Sequence, residues 1–69
     1  MSAISIRLNG RPHPLPEAMS LSSLLETLGM AGKPVVIEVD QNPVLSRDYP
    51  GTMLADGAKV EIIVLAAGG

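Results

Sequence analysis

One leucine stripe limits the folds open to this chain. Leu21, Leu24, Leu25 and Leu28 stand at i, i+3, i+4 and i+7, which puts four apolar side chains on one face of an α-helix. Ser20 sits where an N-cap hydroxyl accepts from an early backbone N–H, and Gly29 suits the left-handed residue that closes helices. The spacing predicts a helix at about 20–28. A helix with so apolar a face must be covered, and a small mixed sheet is the element available to cover it.

The flanking segments supply that sheet. Ile4, Ile6 and Leu8 alternate with Ser5 and Arg7, the period-two pattern of a half-buried strand. Asn9-Gly10 follows as a hairpin turn, since both residues accept positive φ. Arg11 to Leu15 reads as the returning strand. Pro12, Pro14 and Pro16 cannot donate ladder hydrogen bonds, so this strand is expected at an edge or only loosely paired. Val35 to Val39 reads as a strand, Asp40 to Pro43 as a turn, and Val44-Leu45 as a short strand. Residues 46–55 read as irregular, with a turn at Pro50-Gly51, and Asp56-Gly57 turns the chain into a last strand at 59–65. This order predicts an α+β fold of the β-grasp kind: a mixed sheet of about four or five strands with one main helix packed on one face.

Strand parity then sorts the side chains. Val60, Ile62 and Val64, with Val35, Ile37 and Val39, are expected to meet the helix. Lys59, Glu61, Ile63 and Leu65, with Val36, Glu38 and Asp40, point the other way. Val36, Ile63 and Leu65 would form an apolar patch on an exposed sheet face, and such patches often mark partner surfaces. The alternative is that one or two of them are scattered surface apolars, which are normal. The three are the candidate partner-binding residues.

Composition closes off several function classes. Sixty-nine residues with 46% apolar content suit one small domain, taken as 1–65, followed by a tail at 66–69. With one aromatic, Tyr49, the core must be built from Leu, Ile, Val and Met. Cysteine is absent, which excludes disulfides, thiol nucleophiles and cysteine-ligated metals. Five basic against seven acidic residues leave a net charge of −2 and no basic stripe, so no nucleic-acid partner is expected. No apolar run approaches the roughly 18–20 residues of a membrane span, and the N-terminus does not read as a secretory leader, so a cytoplasmic location is expected.

The motifs that resemble active sites dissolve on inspection. Gly29-Met-Ala-Gly32-Lys33 has the wrong glycine spacing for a phosphate loop and is followed by Pro34. His13 is the lone histidine, too little for a metal site. Glu38 and Asp40 share a strand face but read as solvated charges, and Ser20, Ser22 and Ser23 are explained by helix capping. No self-contained active site, bound cofactor or metal is expected.

Attention therefore moves to Ala66-Ala67-Gly68-Gly69, which follows the last strand. Glycine lacks a Cβ, so such a tail can thread a channel too narrow for side chains. Four extended residues reach about 13 Å. The Gly69 carboxylate would be ionised at neutral pH and a poor electrophile until activated. An ATP-using partner could make it an acyl adenylate. A sulfur nucleophile could then displace AMP and leave a thiocarboxylate, which carries sulfur without any cysteine.

The segments Val36-Ile-Glu-Val-Asp-Gln-Asn-Pro-Val44, Arg47, Leu54-Ala-Asp-Gly57, Lys59-Val-Glu-Ile-Ile-Val64 and Gly68-Gly69 resemble, in this order, the ThiS sulfur carriers of thiamine biosynthesis. Leu8-Asn-Gly10 and the Ser20-Leu21…Leu24-Leu25 helix fit as well, so the resemblance covers essentially the whole chain. It implies a ubiquitin-like β-grasp fold and a non-enzymatic carrier. It also implies adenylation of Gly69 by a ThiF-type enzyme, a sulfur donor such as a cysteine desulfurase, and delivery to thiazole synthase. Gly68 would keep the tail slim, and Ala66 and Ala67 are the rest of that tail. Ala58 stands where these carriers often have an acidic residue. The small subunit of molybdopterin synthase, and a β-grasp binding module with a passive tail, are the alternatives.

Overall fold

The computed structural model describes residues 3–65. Strands β1 (Ile4–Leu8) and β2 (Arg11–Leu15) form an antiparallel hairpin in register from Ile4 opposite Leu15 to Leu8 opposite Arg11. Asn9 and Gly10 have φ of 52° and 84°, the two positive angles of the two-residue turn that suits twisted strands. Because Leu8 and Arg11 flank that turn, Arg11, His13 and Leu15 direct their backbone groups to β1. Pro12 and Pro14, between them, direct their ring nitrogens outward. The prolines therefore remove no ladder bond, and β2 is a fully registered edge strand rather than a loose one.

A two-residue strand β3 (Met19–Ser20) leads into helix α1 (Leu21–Thr27). The Ser20 hydroxyl accepts the Ser23 N–H at 3.0 Å, Leu28 closes the helix, and Gly29 follows at φ 72°. Next come β4 (Val35–Val39), β5 (Asn42–Val44), a 3-10 helix over Ser46–Gly51, β6 (Met53–Leu54) and β7 (Lys59–Val64). The sheet order is β2-β1-β7-β4-β5, with β1 parallel to the central β7 and the other neighbours antiparallel. This is the expected mixed β-grasp sheet, with five strands.

Three local expectations change. The second hairpin turns on Asp40 and Gln41 alone, at φ 50° and 70°, so pairing resumes at Asn42 rather than Val44. Pro43 then lies in β5 opposite Glu38, again at an outward-facing position, and Asp40 is a turn residue rather than a strand-face neighbour of Glu38. Residues 46–55 are not irregular: they hold the 3-10 helix and β6, which pairs with β3 in a separate two-stranded sheet. Strands of two residues are too short for alternation to show in sequence.

The core is one cluster of Ile6, Leu15, Leu21, Leu24, Leu25, Ile37, Leu54, Ala58, Val60 and Ile62, and no described polar or charged residue is buried. Ala58 is in that cluster, where an acidic side chain would have no polar company. Val35 and Val39 pack against the cluster as expected. Val64 does not: it is 51% exposed. A seven-residue helix is about 10 Å long and a six-residue strand about 20 Å, so α1 covers only part of β7 and leaves its end bare.

Candidate functional site

The candidate site is the end of β7 and what emerges from it. At its start the strand is tied down by one carboxylate, and the turn before it by another. Asp40 Oδ1 accepts the Lys59 N–H at 3.0 Å, and Asp56 Oδ1 accepts the Ser5 N–H at 2.8 Å where β1 meets the Asp56-Gly57 turn. The turn itself is joined to β1 by Gly57 N–H donating to Ser5 O at 2.8 Å.

Further along, Asn9 does two jobs. Its backbone N–H donates to Val60 O at 2.9 Å, while its side chain leaves the hairpin turn and grips Ile62. Oδ1 accepts the Ile62 N–H at 2.8 Å, and Nδ2 donates to Ile62 O at 3.3 Å. The amide thus stands in for the next peptide unit of β1, extending the parallel ladder by one rung after the main chain has turned away. Only a side chain with both an acceptor and a donor on one carbon can do this. Asn9→Ala is expected to lose both bonds and destabilise the fold by about 1–3 kcal/mol, read from urea melts. Unchanged stability would show that water replaces the amide.

On the sheet face away from α1, charges and apolar groups are segregated along the strands. Arg7 and Lys59 stand side by side at one end. Glu38 and Glu61 stand directly opposite each other in the middle, a like-charge rung that opposes pairing. Val36 and Ile63 form the next rung toward the chain end. Val36 is 43%, Ile63 58% and Leu65 48% exposed. The structure thus places all three candidate partner-binding residues on one open face. Val64, on the other face, is a further exposed apolar residue that the parity argument assigned to the core. Ala66, Ala67, Gly68 and Gly69 lie outside the described residues.

Other candidate chemistry does not assemble. Among the described residues no group of His, Asp and Glu could hold a metal ion, and no helix is long and apolar enough to cross a membrane. A surface cavity of about 420 Å³ is lined by Pro43, Val44, Asp48, Gly51 and Thr52, and the Thr52 hydroxyl there donates to the Asp48 main-chain carbonyl at 2.8 Å, not to its carboxylate. His13 sits on the β2 edge, half-buried. Ser20 and Ser23 are occupied by capping, with Ser20 Oγ and Ser23 Oγ 3.1 Å apart.

Comparison with known proteins agrees with this picture of a small carrier-like body. The family model described as "ThiS family" matches residues 6–69. The sulfur carrier protein ThiS of Thermus thermophilus is 37% identical over 62 residues, spanning 90% of this chain and 95% of that protein. An uncharacterized protein, ycf40, of Porphyra purpurea is 36% identical over 66 residues, spanning 96% of this chain and 93% of the relative. Among solved structures, the crystal structure of the thiamine biosynthesis protein ThiS from Geobacter metallireducens superposes with a TM-score of 0.82 at 25% identity. That match covers 96% of this chain and all of that one. The solution structure of a thiamine biosynthesis protein from the same organism gives a TM-score of 0.80, covering 96% and 88% of the two chains. With a family model spanning nearly its full length, the chain belongs to the ThiS family.

Proposed function

We propose that the chain is a sulfur carrier for thiamine biosynthesis, with the carboxylate of Gly69 as its working group. The observation that carries this reading is the family match, which runs through the diglycine to residue 69. A relative named sulfur carrier protein ThiS, similar over nine-tenths of the chain, supports it. It also favours thiamine over the related molybdopterin pathway. The exposed apolar residues at the end of β7 fit a body that docks and offers its end, not one that does chemistry itself.

In this reading a ThiF-type adenylating enzyme binds the carrier in the cytoplasm. A Gly69 carboxylate oxygen attacks the α-phosphorus of ATP, pyrophosphate leaves, and an acyl adenylate forms. Sulfur from a donor such as a cysteine desulfurase then attacks the carbonyl carbon. The C–O bond to AMP breaks as the C–S bond forms, and the attacking persulfide sulfur leaves an acyl disulfide. A thiol reductant cleaves its S–S bond, itself ending as a disulfide, to give a thiocarboxylate whose sulfur passes to thiazole synthase. The carrier supplies no catalytic residue: it is a co-substrate.

The test is intact mass spectrometry after incubation with ATP, a ThiF-type enzyme, a cysteine desulfurase, cysteine and a thiol reductant. The expected result is a gain equal to sulfur replacing oxygen, dependent on ATP. No gain with any ThiF-type enzyme would favour a passive binding module. Ile63→Lys tests the docking face. The side chain is 58% exposed, so folding should be unaffected, while affinity for the adenylating enzyme should fall by about 1–3 kcal/mol. Unchanged affinity by calorimetry would remove Ile63 from the interface.

A further inference from the structure

Beyond Ile62 the central strand has an open lane on one side. Odd-numbered residues of β7 turn their backbone groups toward β4: Asp40 N–H donates to Lys59 O at 2.8 Å, and Leu65 N–H donates to Pro34 O at 2.9 Å. Even-numbered residues turn toward β1. Val60 O accepts from the Asn9 N–H, and both Ile62 backbone groups are held by the Asn9 amide. Val64 is the next even residue, and by then β1 has turned away at Gly10 into β2. The N–H and C=O of Val64 therefore face a lane that no described strand fills. The side chains around it, Ile63, Val64 and Leu65, are 58%, 51% and 48% exposed, so the segment is apolar and bare on both faces.

The contrast with the rest of the sheet is informative. Its two outer edges, β2 and β5, carry Pro12, Pro14 and Pro43 at outward-facing positions, where a missing N–H blocks a further strand. The lane beside Val64 has no such block. Its vacancy is one donor and one acceptor at strand spacing, between apolar side chains. An extended backbone satisfies that combination. A helix cannot, because its backbone groups are bonded internally.

We propose that this lane is a strand-docking site, filled by an extended segment of the adenylating partner that pairs with the backbone of Val64 as the chain end enters the active site. The identity of the partner rests on the sulfur-carrier reading, whereas the lane itself follows from the hydrogen-bond alternation. Pairing there would hold the emerging chain straight at the point where the body stops supporting it.

Amide hydrogen exchange on the full chain tests this residue by residue. In the free protein the Val64 amide should exchange faster than those of Ile63 and Leu65, at every concentration. With a ThiF-type enzyme that loads the chain in the mass assay, the Val64 amide should slow by about tenfold or more. Val64→Pro removes that one donor at a position type where this sheet already accepts proline, and should weaken binding about tenfold, one hydrogen bond's worth. Val64→Thr keeps the N–H and should stay within about twofold. If Val64→Pro fails to fold, the exchange result on the unaltered chain decides. Loading without Val64 protection overturns the strand pairing and leaves the sulfur-carrier reading intact. Val64 protection that grows with carrier concentration alone assigns the lane to a second copy and overturns it as well. Absence of loading by any such enzyme overturns both.

Discussion

Deleting Gly69 is expected to abolish sulfur loading while leaving the fold and its stability unchanged. The reason is reach. Without Gly69 the terminal carboxylate sits on Gly68 and retreats by about 3.5 Å, one extended residue. Reacting atoms must come within about 3–3.5 Å of each other, so a shortfall of that size removes the reaction rather than slowing it modestly. The body has no reason to respond, because the buried cluster ends at Ile62. Intact mass reports loading and a urea melt reports folding. Loading retained by the deletion variant would refute the assignment of Gly69. Gly68→Leu should give nearly the same loss for a different reason: it keeps the length but adds a side chain where the proposed function requires passage through a narrow channel.

Leu24→Ala is expected to have the largest effect on the body, lowering stability by about 2–5 kcal/mol. Leu24 is fully buried, and it lies in α1 among Leu21, Leu25 and the sheet residues Ile6, Ile37 and Val60. At about 0.05–0.15 kcal/mol per residue, a domain of this size has a total of about 3–10 kcal/mol to lose. The variant should therefore be partly unfolded at room temperature, with its urea midpoint displaced strongly downward and its sulfur loading reduced in proportion to the folded fraction. Ser22→Ala, at a half-exposed position on the other side of the helix, should stay within about 0.5 kcal/mol. A loss below about 1 kcal/mol for Leu24→Ala would mean that the surrounding side chains collapse into the space.

How much of this was legible in the sequence depended on how local each signal was. The helix, its Ser20 cap and its Gly29 stop, the Asn9-Gly10 turn and the faces of β4 and β7 all rest on spacing within a few residues. They stand in the structure except at Val64, which nothing covers, and Asp40, which belongs to a turn. The fold class followed because a single leucine stripe leaves few ways to be covered. Features that depend on pairing between distant segments were out of reach. The Asn9 amide meets Ile62 across a separation of 53 residues, and nothing near Asn9 marks it as more than a turn residue. β3 and β6 stabilise each other and neither has a pattern of its own. Val64 was assigned inward by parity, which tells which way a side chain points but not whether anything is there to meet it. For the candidate site, Val36, Ile63 and Leu65 were readable as an exposed face, while the open lane beside Val64 required the sheet order and hydrogen-bond alternation.

The central place of β7 in the sheet has a mechanical consequence. It is flanked by β1 on one side and β4 on the other, its first residue is held by the Asp40 carboxylate, and the turn that leads into it is held to β1 by the Asp56 carboxylate. A tug applied beyond Leu65 runs along the strand axis, so the rungs on both sides are sheared together instead of being unzipped in turn. If the chain end enters and leaves a partner's socket as proposed, the body resists each withdrawal with both sets of rungs at once.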